Sequence, residues 1–133
     1  MSEKSVIRTE DAPAPFQGAP YSQAVRLGEL LFVSGQIGLR PGASELAETI
    51  EEQTEQALAN LRGILGAAGS SLAQLLKTTV FLSSFDHFAA MNEVYRSHVG
   101  ESPPARSTVE VAGLPSGALV EIEAIAQARC TRP

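Results

Sequence analysis

Near the end of the chain, Val120, Ile122, Ala124 and Ala126 alternate with Glu121 and Glu123. Successive side chains of an extended strand point to opposite faces. The segment therefore has one apolar face and one face that carries acids, and it fits a sheet covered on a single side. The stretch Pro104-Ala105-Arg106-Ser107-Thr108-Val109-Glu110-Val111 reads as the strand before it. Arg106, Thr108 and Glu110 share one of its faces, and Ser107, Val109 and Val111 take the other. The connection Ala112-Gly113-Leu114-Pro115-Ser116-Gly117 is short enough to fold the two strands into an antiparallel pair. That pairing predicts an Arg and a Glu on one sheet face. Such pairs are common on wet sheet faces and contribute only about 0.2–1 kcal/mol. An Arg beside a carboxylate base is also the makings of a site for a small acid.

Upstream, Val6-Ile7-Arg8-Thr9 reads as a brief first strand, and Asp11 to Pro20 as an irregular loop broken by prolines. Two strands are expected at residues 22–26 and 30–37, with Gly28-Glu29 as the turn between them. The period changes over residues 46–68. There Ile50, Thr54, Ala57, Leu58, Leu61, Ile64, Leu65 and Ala68 recur at helical spacing, with Gly69 as the stop. Lys77-Thr78-Thr79-Val80-Phe81-Leu82 is a strand. Ser84 or Asp86 caps a second helix that runs to about His98 and buries Phe88, Met91 and Tyr95. The resulting order, βββαβαββ, predicts an α+β fold: one domain over residues 1–133, with two helices on one face of a single sheet and hairpins at both ends. Two helices cannot cover both faces. The uncovered face is expected to carry Arg106, Thr108, Glu121 and Ser34, and to be wet or pressed against another subunit.

Ten Lys and Arg against fifteen acids give a net charge of −5, without a basic run, so nucleic acid is not an expected partner. Cys130 is the only cysteine, which excludes an internal disulfide and two-cysteine redox or zinc motifs. His87 and His98 are too far apart for two ligands on one helical turn, and no metal site is expected. Residues 1–5 lack an apolar signal core, and no stretch approaches membrane-spanning length. A cytoplasmic protein without membrane contact is the expectation.

Five segments, in order, resemble the Rid (YjgF-like) family of reactive-intermediate deaminases. They are Ala19-Pro20-Tyr21-Ser22-Gln23-Ala24-Val25, Phe32-Val33-Ser34-Gly35-Gln36-Ile37, Lys77-Thr78-Thr79-Val80-Phe81-Leu82, Asp86-His87-Phe88-Ala89-Ala90-Met91-Asn92-Glu93-Val94-Tyr95, and Pro104-Ala105-Arg106-Ser107-Thr108-Val109 running on to Val120-Glu121-Ile122-Glu123. The resemblance implies a chorismate-mutase-like fold, with a mixed six-stranded sheet, assembled as a homotrimer with clefts between subunits. It implies hydrolysis of 2-enamine and 2-imine acids to 2-oxo acids and ammonia, without metal or organic cofactor. Arg106 matches the arginine that grips the substrate carboxylate, and Glu121 the acid that orients or activates water. Tyr21, Ser34, Gly35 and Asn92 match pocket positions, and backbone carbonyls near Gly35 and Thr108 are expected to accept from the substrate N–H groups.

These residue types suit that chemistry. A guanidinium takes both carboxylate oxygens in a planar fork, which Lys cannot do. A nearby carboxylate takes a proton from water and returns it to the departing amine, typically a ~10²–10⁴-fold effect. Glu121 and Glu123 have the same parity, so alternation does not choose between them; only the resemblance favours Glu121. Two positions depart from the family pattern. Thr108 stands where many members have Cys, which removes a thiol that the scheme does not need. Ala19 stands before Pro20 where Gly is usual, in the loop over the pocket. The alternative reading is a non-catalytic, regulatory binder of small carboxylates held by Arg106. Ribonuclease-like behaviour in the broad family is a third, and the acidic balance counts against it.

Overall fold

The protein, described by a computed structural model over residues 3–128, forms one mixed sheet with two α-helices on one side. Cys130 lies outside the described residues. The strands are β1 (Ser5–Ile7), β2 (Ala24–Leu27), β3 (Leu30–Ile37), β4 (Leu75–Leu82), β5 (Ala105–Glu110) and β6 (Val120–Gln127). The helices are α1 (Ile50–Ala67) and α2 (Phe88–Val99).

Helix α1 begins in a capping box. The Thr49 hydroxyl accepts from the Glu52 amide at 3.1 Å, and the Glu52 carboxylate accepts from the Thr49 amide. It ends where Gly69, at φ +76°, turns the chain so that the Ser70 amide reaches the Leu65 carbonyl at 2.8 Å. The apolar stripe expected from its spacing is buried throughout, from Ile50 to Ala68. It packs on Leu31, Val33, Val80, Val120, Ile122 and Ala124 from the sheet. Each such aliphatic side chain contributes about 1.5–3 kcal/mol on burial, far above the few tenths that separate helix propensities. Buried Asn60 ties α1 to the end of β3 by donating to the Ile37 and Leu39 carbonyls at 3.1 and 2.9 Å.

The sheet order is β1-β2-β3-β6-β4-β5, so β5 and β6 are not neighbours. The expected C-terminal hairpin is corrected here. The β4–α2–β5 crossover lays β5 parallel to β4 on its outer side. The chain then crosses the end of β4, where the Ser83 amide meets the Leu119 carbonyl, and β6 inserts antiparallel between β3 and β4. A strand whose alternate residues are Val, Ile, Ala and Ala buries most at the sheet centre beneath α1.

The register sets the faces. Ala24, Val33, Ala124, Thr78 and Arg106 form one row across β2, β3, β6, β4 and β5, on the helix-covered side. Ile37, Glu121, Phe81 and Val109 form a row on the open side. Arg106 and Thr108 therefore lie on the covered face and Glu121 on the open one, against the expectation that all three share the open face. Parity within a strand says which residues go together, whereas strand order says where they face. The open side also carries a row of Val6, Val25, Phe32, Ile125 and Lys77, with Leu27 and Leu30 paired beside it.

Candidate active site

The first cluster forms where β3 bulges. The register with β6 slips between Val33 and Gln36, and Ser34 and Gly35 sit in the slip. The Ser34 hydroxyl donates to the Ser22 carbonyl at 2.6 Å, which ties the bulge to the segment entering β2. Gly35 lies against Glu121: a Cβ at this position would fall 2.5 Å from Glu121 Oε2. Only a residue without a side chain leaves that carboxyl in place. Burial raises the Glu121 pKa, and the neighbouring Glu123 carboxylate raises it further.

Tyr21 stands beside this cluster and is exposed; its hydroxyl accepts from the Phe16 amide at 2.6 Å. It lines one recess with Gly35, Gln36 and Ile37, and another of about 460 Å³ with Ser34, Lys77, Thr79 and Glu123. The structure thus gathers Tyr21, Ser34, Gly35 and Glu121 at one end of the open face.

The second cluster lies on the other side of the sheet. Arg106, on the outer strand β5, places its guanidinium carbon 4.8 Å from the Tyr95 ring centroid and 5.8 Å from that of Phe88. Among the described residues the guanidinium has no acid partner and no hydrogen bond. Arg106, Asn92 and Tyr95 line a cavity of about 460 Å³. Within this cluster, the buried Oδ1 of Asn92 has no hydrogen-bond partner. An unspent cation and an unspent acceptor at one cavity mark a place for a ligand with an anionic group and an N–H or O–H. Thr108 is half-buried on the covered face of the same strand. As the outer strand of the sheet, β5 leaves one backbone edge without a sheet partner.

Tyr95 and Phe88, which helical spacing assigns to the core, are the rings that meet the Arg106 guanidinium. Met91 and Tyr95 are buried as expected, but Phe88 is 39% exposed and meets Phe85 edge-on at 5.7 Å. The first turn of α2 overhangs the edge of the sheet, so its ring covers Arg106 rather than the core. The signal in the sequence was the hydroxyl of Tyr95, which a purely apolar stripe has no use for. Ser84, one of two candidate caps, caps a short turn at Phe85–His87 ahead of α2. Among the described residues no three His, Cys, Asp or Glu side chains converge as metal ligands, and no helix is long and apolar enough to cross a membrane.

A one-sided α+β sheet of six strands and two helices is the architecture of the YjgF type. The chain belongs to the family described as Endoribonuclease L-PSP, which matches residues 9–128 and is the Rid (YjgF-like) family that the five segments indicated. It is 51% identical over 124 residues to a RutC family protein of Pyrococcus horikoshii, covering 92% of this chain and 97% of that one. It is 44% identical over 124 residues to the 2-iminobutanoate/2-iminopropanoate deaminase of Mus musculus, covering 92% and 90%. The crystal structure of E. coli TdcF with bound serine superposes with a TM-score of 0.86 at 39% identity, over 95% of this chain and 99% of that one.

Proposed function

We propose that the protein is a hydrolytic deaminase that converts 2-imino and 2-enamino acids to 2-oxo acids and ammonia. The observation that carries this reading is the unpaired Arg106 guanidinium beside the unpartnered Asn92 Oδ1, at an open cavity. The deaminase from mouse and the serine held by TdcF support a small amino-acid-like ligand.

The substrate carboxylate takes the planar fork of Arg106, which fixes the face of the C=N bond presented to water. Asn92 Oδ1 and outward carbonyls of β5 near Thr108 accept from the substrate N–H groups. Glu121, with its raised pKa, takes a proton as water adds to C2, and the C=N π pair moves to nitrogen. The same carboxyl returns the proton to the amine of the resulting carbinolamine. The carbinolamine hydroxyl then gives its proton, through Glu121, to the nitrogen as the C–N bond breaks, so that ammonia leaves and the oxygen remains as the 2-oxo group. An enamine enters the same path after protonation at C3.

Arg106 and Glu121 lie on opposite faces of one sheet, separated by β4. A single chain therefore does not bring them to one substrate. In the proposal the outer strand of one subunit abuts the open face of the next, so that each site takes Arg106, Asn92 and Thr108 from one copy. Glu121, Gly35, Ser34 and Tyr21 come from its neighbour. The exposed Val6, Leu27, Leu30, Phe32 and Val109 give the open face the apolar surface that such a homotrimer buries. The protein then works as a cytoplasmic single-domain subunit without a resident cofactor.

The test generates an imino acid in situ with an amino-acid oxidase and traps it with semicarbazide. The wild-type protein should divert imine from the trap, and Arg106→Ala should lose at least about 10²-fold of that activity. If wild type gives no acceleration with several imines yet binds 2-oxo acids, the protein is a carboxylate binder instead.

A further inference from the structure

We propose that Tyr95, anchored by Thr78, is the positioning residue of Arg106, and that together with Phe88 it holds the guanidinium by its flat face so that the N–H edge stays free for a carboxylate. The inference rests on the reading of Arg106 as the carboxylate anchor.

Arginine reaches its guanidinium through several rotatable bonds, and an unrestrained fork loses entropy on every binding event. Two devices can hold it. An acidic partner would fix it by an ion pair, but the pair would occupy the same N–H groups that the substrate needs. An aromatic bed fixes it through the ring face and leaves the edge donors unspent. Arg106 has the second device. Its guanidinium carbon lies 4.8 Å from the Tyr95 centroid and 5.8 Å from that of Phe88, with no acid in contact among the described residues.

The ring is itself fixed. Tyr95 is buried, and its hydroxyl lies 2.6 Å from Thr78 Oγ1. Thr78 is fully buried on β4 and is the register partner of Arg106 on β5. The hydroxyl pair therefore ties α2 to the strand position beside Arg106 itself. Rotation of the ring away from the guanidinium would leave two buried hydroxyls unpaired, which opposes it.

The test measures 2-oxobutanoate binding by calorimetry, together with KM and kcat for an imino acid, in wild type, Tyr95→Leu, Tyr95→Phe and Phe88→Leu. Tyr95→Leu should weaken 2-oxobutanoate about tenfold, and Phe88→Leu about threefold. Tyr95→Phe keeps the ring but loses the tie to Thr78, so it should fall between wild type and Tyr95→Leu, about threefold weaker than wild type. In each case the change should appear in carboxylate affinity and KM before kcat, and the affinity of a neutral ketone of the same size should not move. A purely structural role would lower thermal stability without changing that selectivity. Phe88 is partly exposed, so its variant tests the proposal even if Tyr95→Leu does not fold. Wild-type 2-oxobutanoate affinity in folded Tyr95→Leu, or in Phe88→Leu if Tyr95→Leu is unfolded, would overturn the inference. A wild-type protein that binds 2-oxobutanoate but hydrolyses no imine would overturn the deaminase reading alone. Absence of any 2-oxobutanoate binding by wild type would remove Arg106 as an anchor and the clamp with it.

Discussion

At the scale of single residues, Glu121 carries the clearest electrostatic signature. Burial and Glu123 both raise its pKa from an ordinary carboxyl value, so the acid limb of kcat/KM should lie above that value. Glu123→Gln removes the second cause and should move the limb to lower pH, while the part due to burial persists. An unmoved limb in a pH–rate profile would mean that Glu123 does not act on the base. The linkage has the opposite sign from that of a salt-bridged acid. A raised folded pKa means that the folded state binds the proton more tightly than the unfolded chain. Its stabilising share is present below pH 4.5 and is lost as pH rises through the raised value. Glu121→Gln should therefore match or exceed wild-type thermal stability at neutral pH while losing most activity. Alternation made both acids of β6 legible as a pair but did not rank them. Gly35 makes the difference, because its missing Cβ is what admits the Glu121 carboxyl.

At the scale of elements, sequence periodicity located both helices and all six strands to within a few residues. Helix α1 shows why: its stripe is long, its cap is a Thr–Glu box, and its stop is a glycine in the left-handed region. Thr49→Ala should cost about 1 kcal/mol in chemical denaturation, because it leaves the first-turn Glu52 amide without its partner. Activity should be nearly unchanged, since the hydrogen bonds of the cap reach no residue of either cluster. The pairing of β5 was not legible in the same way. A short connection between two alternating strands favours a hairpin locally, but α2 had already returned the chain to the outer edge of β4. That crossover is a long-range choice, and it moved Arg106 to the covered face. Phe88 lies outside the core to which helical spacing assigns it, because that spacing does not distinguish the sheet centre from its edge.

At the scale of the whole molecule, the one-sided sheet was legible from two helices and six strands, and with it the need for something to cover the open face. The placement of Arg106 and Glu121 on opposite faces was not legible, because it depends on strand order rather than on any segment. In the proposed assembly, Arg106 of one copy works with Glu121 of another. The most direct measurement co-expresses Arg106→Ala and Glu121→Gln under two different tags and purifies the mixed assemblies through both. In a cyclic trimer containing both subunit types, one interface in three joins an intact Arg106 to an intact Glu121. Two nearly inactive parents and a mixed assembly with about one third of wild-type activity are expected. A mixed assembly no more active than its parents would mean that Arg106 of one copy does not work with Glu121 of the next.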